Sequence, residues 1–134
     1  MRVLLGLASA VVASAVLMRA RPFRVEVTGT SMDPTLVPGD YLVATKARVI
    51  RRGALVVLDR PNQPGFELVK RLTAIPGDVI EGGVLGPNEY WVVGEAATRS
   101  TDSRTFGPVA REDIKGIVRL RYWPLSRARL FASG

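Results

Sequence analysis

From Pro22 onward the sequence is a series of short β-branched or aromatic runs, each closed by a proline or glycine turn. This punctuation constrains the fold more than any other feature. Alternation with a period of two places strands at Phe23–Val27, Tyr41–Thr45, Ala54–Leu58, Phe66–Ile75, Asp78–Ile80, Tyr90–Val93 and Ile114–Tyr122. Between them lie Pro38-Gly39-Asp40, Arg52-Gly53, the stretch from Pro61 to Gly65, Pro76-Gly77-Asp78, Gly82-Gly83 and Gly86-Pro87-Asn88, all turn-forming combinations. Strands this closely spaced predict a mainly β domain, a barrel or a sandwich. No internal repeat or low-complexity linker interrupts them, and 134 residues are one domain's worth of chain.

Ahead of the strands the pattern is different. No charge occurs from Val3 to Met18, and the run is bracketed by Arg2 on one side and Arg19, Arg21 and Arg24 on the other. At about 16 residues it falls just short of the roughly 17–25 of a spanning helix, a gap that snorkelling arginines can close. It reads as a single membrane anchor over residues 1–20. A cleaved signal peptide is the competing reading, because Ala13-Ser14-Ala15 has the form of a cleavage site. The arginine count alone sets the body on the cytoplasmic side. At the other end, residues 125–134 carry Arg127 and Arg129 beside Leu130 and Phe131. They read as a basic tail, either solvated or touching a membrane surface.

There is no histidine and no cysteine. Disulfides, a Ser-His-Asp triad, a Cys-His pair and a histidine-based zinc site are therefore excluded. A serine nucleophile in this chain needs a carboxylate or an amine as its base. With 19 basic residues and a net charge of +7, nucleic acid and anionic membranes both fit as partners. Yet only Lys46, Lys70 and Lys115 are lysines, and arginine does not lose its proton. The set of amine bases has three members.

Lys70 stands apart within that set. On a strand its face carries Phe66, Leu68, Leu72 and Ala74, so it is the one charge on an apolar surface. Desolvation there lowers an amine's pKa toward the range a general base requires. The plain alternative is a lysine that snorkels from a sheet edge, or a face that looks outward. Ser31 sits between a strand that ends at Gly29-Thr30 and the helix-averse Pro34. Small neighbours let a carbonyl approach and a backbone N–H meet an oxyanion, although Ser, Pro, Gly and Asp also fill ordinary turns.

Taken together the motifs resemble those of type I signal peptidases, membrane serine proteases that use a Ser-Lys dyad. Gly29-Thr30-Ser31-Met32-Asp33-Pro34-Thr35-Leu36 is similar to the nucleophile box, and Lys70-Arg71-Leu72-Thr73-Ala74-Ile75-Pro76-Gly77-Asp78 to the box of the lysine base. Pro38-Gly39-Asp40-Tyr41 and Arg52-Gly53-Ala54-Leu55 resemble the two strand entries between them, and Ser100-Thr101-Asp102-Ser103-Arg104 the closing box. The order is collinear over about residues 25–118.

The resemblance implies a fold of the signal-peptidase and SOS-repressor type, with a minimal peptidase core over 21–124 behind one anchoring helix. It implies that Ser31 is the nucleophile and Lys70 its base. Ser100 orients the amine, Asp102 and Arg104 form a supporting ion pair, and Arg71 pairs with an acid of the closing box, here Glu95. Gly29, Thr30, Met32 and Pro34 shape the oxyanion and substrate site. No metal or cofactor is implied. The expected substrates are precursor proteins with small residues before the scissile bond, cut by a single-pass cell-membrane protein whose body is extracytoplasmic, and nucleic acid is not an expected partner.

Two positions depart from the pattern. The closing box usually opens Gly-Asp-Asn and here reads Gly94-Glu95-Ala96, and the hydroxyl some members place two residues before the nucleophile is replaced by Gly29. Short length and an altered closing box also suit a dedicated maturation protease, such as the branch that trims the nickel superoxide dismutase precursor. A self-cleaving repressor domain, an inactive member and a basic β-domain binding nucleic acid or lipid are the remaining readings. Aromatics are too few and scattered for a base-stacking stripe.

Overall fold

Leu55-Val56-Val57-Leu58 is an uninterrupted apolar run, so it cannot keep one face in water and needs a central position in a sheet. In the computed structural model, which describes residues 21–96, 98 and 100–132, all four are at most 1% exposed. They belong to β3 (Leu55–Arg60), flanked by β4 (Gln63–Ala74) and β9 (Ile114–Trp123). Outward from β9 lie β2 (Tyr41–Thr45) and β1 (Pro22–Glu26); outward from β4 lie β7 (Glu89–Val93) and β8 (Val109–Ala110). Every pairing in this sheet is antiparallel. The protein is mainly β, as the turn punctuation predicts.

The two faces of β3 seed two cores. Leu55 and Val57 pack with Val25, Met32, Leu36 and Leu42, whereas Val56 and Leu58 pack with Leu72, Val92, Val109 and Ile117. The expected anchor falls on residues 1–20, outside the described residues. Among the described residues no helix is long and apolar enough to cross a membrane.

The strands match their expected positions to within a few residues. Three two-residue pieces carry no sequence signal: β6 (Gly83–Val84), which pairs with β5 (Val79–Ile80), β8, and β10 (Arg129–Leu130). The largest difference concerns Phe66. It shares the strand face of Lys70 in sequence, yet it is 52% exposed while Lys70 is 2% exposed. The cause is register. β7 covers β4 only from Arg71 to Ala74, and the outer half of β4 pairs with β3 alone.

The segment read as a tail is joined to the sheet. β10 pairs with Arg121 and Leu120 of β9, and Phe131 packs against the first core. An ionic cluster underlies this docking. Asp40, 1% exposed, accepts from Arg121 at 3.3 Å and from Arg127 at 2.7 Å. Arg121, itself 6% exposed, also donates to the carbonyls of Arg127 and Thr35. A buried pair that loses one partner leaves a costly unpaired charge. Asp40→Ala is expected to lower unfolding free energy by about 3–5 kcal/mol, against less than about 0.5 for exposed Glu81→Ala, measured by urea denaturation.

Candidate active site

Past β1 the chain turns at Thr30–Leu36, with Asp33 N–H donating to Thr30 O at 3.1 Å and Leu36 N–H to Met32 O at 2.9 Å. Met32 and Leu36 point into the first core, so Ser31 is left half-exposed at the head of the turn. Met32, expected in the substrate site, is 2% exposed and lines the floor of the cleft described below. Pro34 is exposed and joined through a cis peptide to Asp33; it lies outside the lining of the cleft described below.

Lys70 reaches Ser31 from the sheet. It pairs with Val56 of the central strand, and its Nζ lies 2.5 Å from Ser31 Oγ and 3.3 Å from Ser100 Oγ. Among the described residues no carboxylate forms an ion pair with it. Burial is the main influence on its amine and pushes the pKa down; the nearby Asp102 charge opposes this and Arg104 adds to it, with a net lowering. Lys115 is the contrast. It is exposed, holds Glu67 at 3.0 Å and Asp59 at 3.6 Å, and is raised chiefly by its hydrogen bond to Glu67.

The closing box supplies the second hydroxyl. Ser100 Oγ donates to Asp102 Oδ2 at 2.8 Å. Asp102 also caps the one-turn helix α1 (Ser103–Phe106), and it receives the Gly94 N–H at 2.8 Å and the Arg104 side chain at 2.5 and 3.0 Å. Burial alone raises its carboxyl, but these donors outweigh it and hold the pKa well below the usual carboxylate range. Ser103 adds a stitch by accepting the Val92 N–H at 2.9 Å. Arg71 donates to Glu95 at 2.6 Å and to Gly53 O at 2.8 Å, while the Thr35 hydroxyl also donates to Glu95. At Ala96 the main chain matters: its N–H donates to Ser31 O at 2.9 Å, a bond independent of the side chain that departs from the pattern.

An open cleft of about 360 Å³ runs beside the serine, between the chain from Val25 to Gly29 and the outer half of β4, with Phe66 and Leu68 on its wall. It continues past Gly29, Thr30 and Ser31 to Lys70, Arg60 and Thr101. Sequence reasoning missed Arg60, Thr101 and the backbone role of Gly94. A Cβ on Gly94 would stand 2.0 Å from Ser100 Oγ and 2.8 Å from Ser31 O. The closing box can meet the Ser31 turn only through a glycine.

The sequence places this mainly β protein among the signal-peptidase-type proteases. The sequence pattern of the family described as signal peptidase, peptidase S26, matches residues 1–85 and 81–123, and the chain belongs to that family. It is 31% identical over 112 residues to mitochondrial inner membrane protease subunit 1 of Xenopus tropicalis, covering 73% of this chain and 67% of that one. The corresponding Schizosaccharomyces pombe protein is 34% identical over 117 residues, covering 76% and 74%. Mitochondrial ATP-independent inner membrane protease subunit 1b of Arabidopsis thaliana is 34% identical over 113 residues, covering 72% and 67%.

The Gly94 contact yields a direct check. Gly94→Ala is expected to destabilise by about 1–3 kcal/mol through overpacking and to displace Ser100. Gly29→Ala, with open space around its Cβ position, is expected to shift stability by less than about 1 kcal/mol. Thermal unfolding of both variants tests the pair.

Proposed function

We propose that this protein is a serine endopeptidase working through a Ser31–Lys70 dyad, with the fold of a signal peptidase catalytic core. The observation that carries the reading is the 2.5 Å approach of a half-exposed hydroxyl to a buried amine that has no acid partner among the described residues. Ser31 Oγ attacks the scissile carbonyl as its proton passes to neutral Lys70 Nζ. The tetrahedral oxyanion is met by the Ser31 backbone N–H and the Thr30 hydroxyl, with Gly29 leaving room for the substrate chain. The ammonium of Lys70 then protonates the departing amine, leaving an acyl-Ser31 ester. Lys70, neutral again, takes a proton from water as the water oxygen attacks the ester, then returns it to the departing Ser31 Oγ, which frees the new carboxyl terminus and restores the dyad.

Ser100 holds the amine in position, and Asp102 with Arg104 holds Ser100. Arg71 and Glu95 brace β4 against the closing box. Precursor proteins with small residues before the scissile bond are the proposed substrates, and no cofactor takes part. Residues 1–20 serve as a single-pass anchor on the cell membrane, with residues 21–124 as the peptidase core on the extracytoplasmic face. Support for a membrane setting comes from the uncharged run between Val3 and Met18 and from the relatives' names, which place those proteins in a mitochondrial inner membrane. The altered closing box supports a restricted precursor set, which a comparison of protein N-termini between deletion and wild-type cells measures directly.

Cleavage of an Ala-x-Ala peptide by the detergent-solubilised protein tests the dyad. Ser31→Ala and Lys70→Ala are each expected to lower kcat/KM by at least about 10²-fold; retention of activity in either variant overturns it.

The same group fixes the pH dependence. Lys70 is lowered in the folded protein, so activity is expected to rise with pH at a midpoint below the ordinary lysine range. Between the folded and unfolded pKa values the unfolded chain binds more protons, so stability rises with pH across that window as well. Lys70→Met is expected to abolish activity and remove this rise, as read by urea midpoints across pH 6 to 10.

A further inference from the structure

Arg60 closes β3 at the rim of the cleft, half-buried. Its guanidinium lies over the Phe66 ring, 5.9 Å from the centroid, and both residues line the stretch that contains Ser31, Lys70 and Thr101. Two described arginines of the lysine and closing boxes are tied to acids: Arg71 to Glu95 and Arg104 to Asp102. The acids nearest Arg60 in the chain and across the hairpin are engaged elsewhere, since Asp59 and Glu67 both face Lys115. Among the described residues the Arg60 guanidinium has no hydrogen bond and no ion pair, only its contact with Phe66. With Lys70 neutral, it is, among the described residues lining that stretch, the standing positive charge.

A guanidinium resting on an aromatic face keeps its N–H edge free, in the fork geometry that matches a carboxylate. We propose that Arg60 is a specificity-determining residue that reads an acidic side chain of the substrate within three residues of the scissile bond. Phe66 is its platform, and the position follows from the Arg60 neighbourhood, which opens directly onto Ser31. This inference rests on the dyad reading for where the scissile bond lies. It narrows the substrate class from precursors with small residues at the cut to those that also carry Asp or Glu beside it.

The test scans Asp against Asn at each of the three positions on either side of the cut in an Ala-x-Ala peptide. At one position the wild type is expected to prefer Asp by about 3- to 5-fold in kcat/KM at low salt, as for a solvent-accessible ion pair, with the preference shrinking at 0.5 M salt. The Asp:Asn ratio is expected to persist in Arg60→Lys, fall to about one in Arg60→Gln and invert in Arg60→Glu. Using the ratio removes any effect of these variants on absolute rate. A ratio of one throughout the wild-type scan, or a preference unchanged in Arg60→Gln, overturns the proposal. Fluorescence anisotropy on Ser31→Ala, with and without Arg60→Gln, reads binding of the same labelled peptides without turnover. Cleavage that is independent of Ser31 would sink the dyad, while Arg60-dependent tighter binding of the Asp peptide would still uphold the recognition, and equal binding would end it.

Discussion

The burial of one amine organises this molecule. Lys70 is carried into the interior by a strand whose neighbour, β3, is apolar on both faces, so the side chain is backed by apolar surface. An amine in that position becomes an ordinary buried salt bridge if a carboxylate reaches it. Here the nearest carboxylate is occupied. Asp102 accepts from Gly94, Ser100 and both the main chain and side chain of Arg104, and Ser100 stands between it and Lys70. The amine therefore meets two hydroxyls, Ser31 and Ser100, and its proton is held weakly.

The turn that carries Ser31 is fixed in the same economical way. Met32 and Leu36 anchor it below, Ala96 holds the Ser31 carbonyl on one side, and Arg121 holds the Thr35 carbonyl on the other. None of these contacts uses the Ser31 hydroxyl, which stays free for Lys70. Glu95 links the turn to β4 by accepting from both Thr35 and Arg71. The side chain missing at Ala96 leaves this framework whole, because the linking bond comes from the backbone.

Sequence alone makes the strand order of burial legible wherever a run is long enough to show a period. Leu55–Leu58 declares a central strand, and the isolated charge at Lys70 declares a desolvated amine. Two-residue strands such as β8 and β10 have no period to show. Phe66 misleads because alternation gives a face but not whether a neighbouring strand covers it. The ionic cluster of Asp40, Arg121 and Arg127 is illegible for a different reason. Its members are 81 and 87 residues apart, and each looks like an ordinary surface charge until the sheet closes. Gly94 reads as one more turn glycine, since the crowding at its Cβ position comes from Ser100 and Ser31, distant boxes that only the fold brings together.

The Arg121 contact spans 86 residues to reach the turn that bears the serine. During synthesis Ser31 and Lys70 emerge well before the segment that seats this arginine and locks it with Arg127. Until then the turn lacks one of its two lateral supports, and Asp40 has no counter-ion. The full set of contacts around the Ser31 turn is thus completed only when β9 and β10 have closed. A chain that stopped before β9 would carry both the serine and the amine without the support that sets the turn between them.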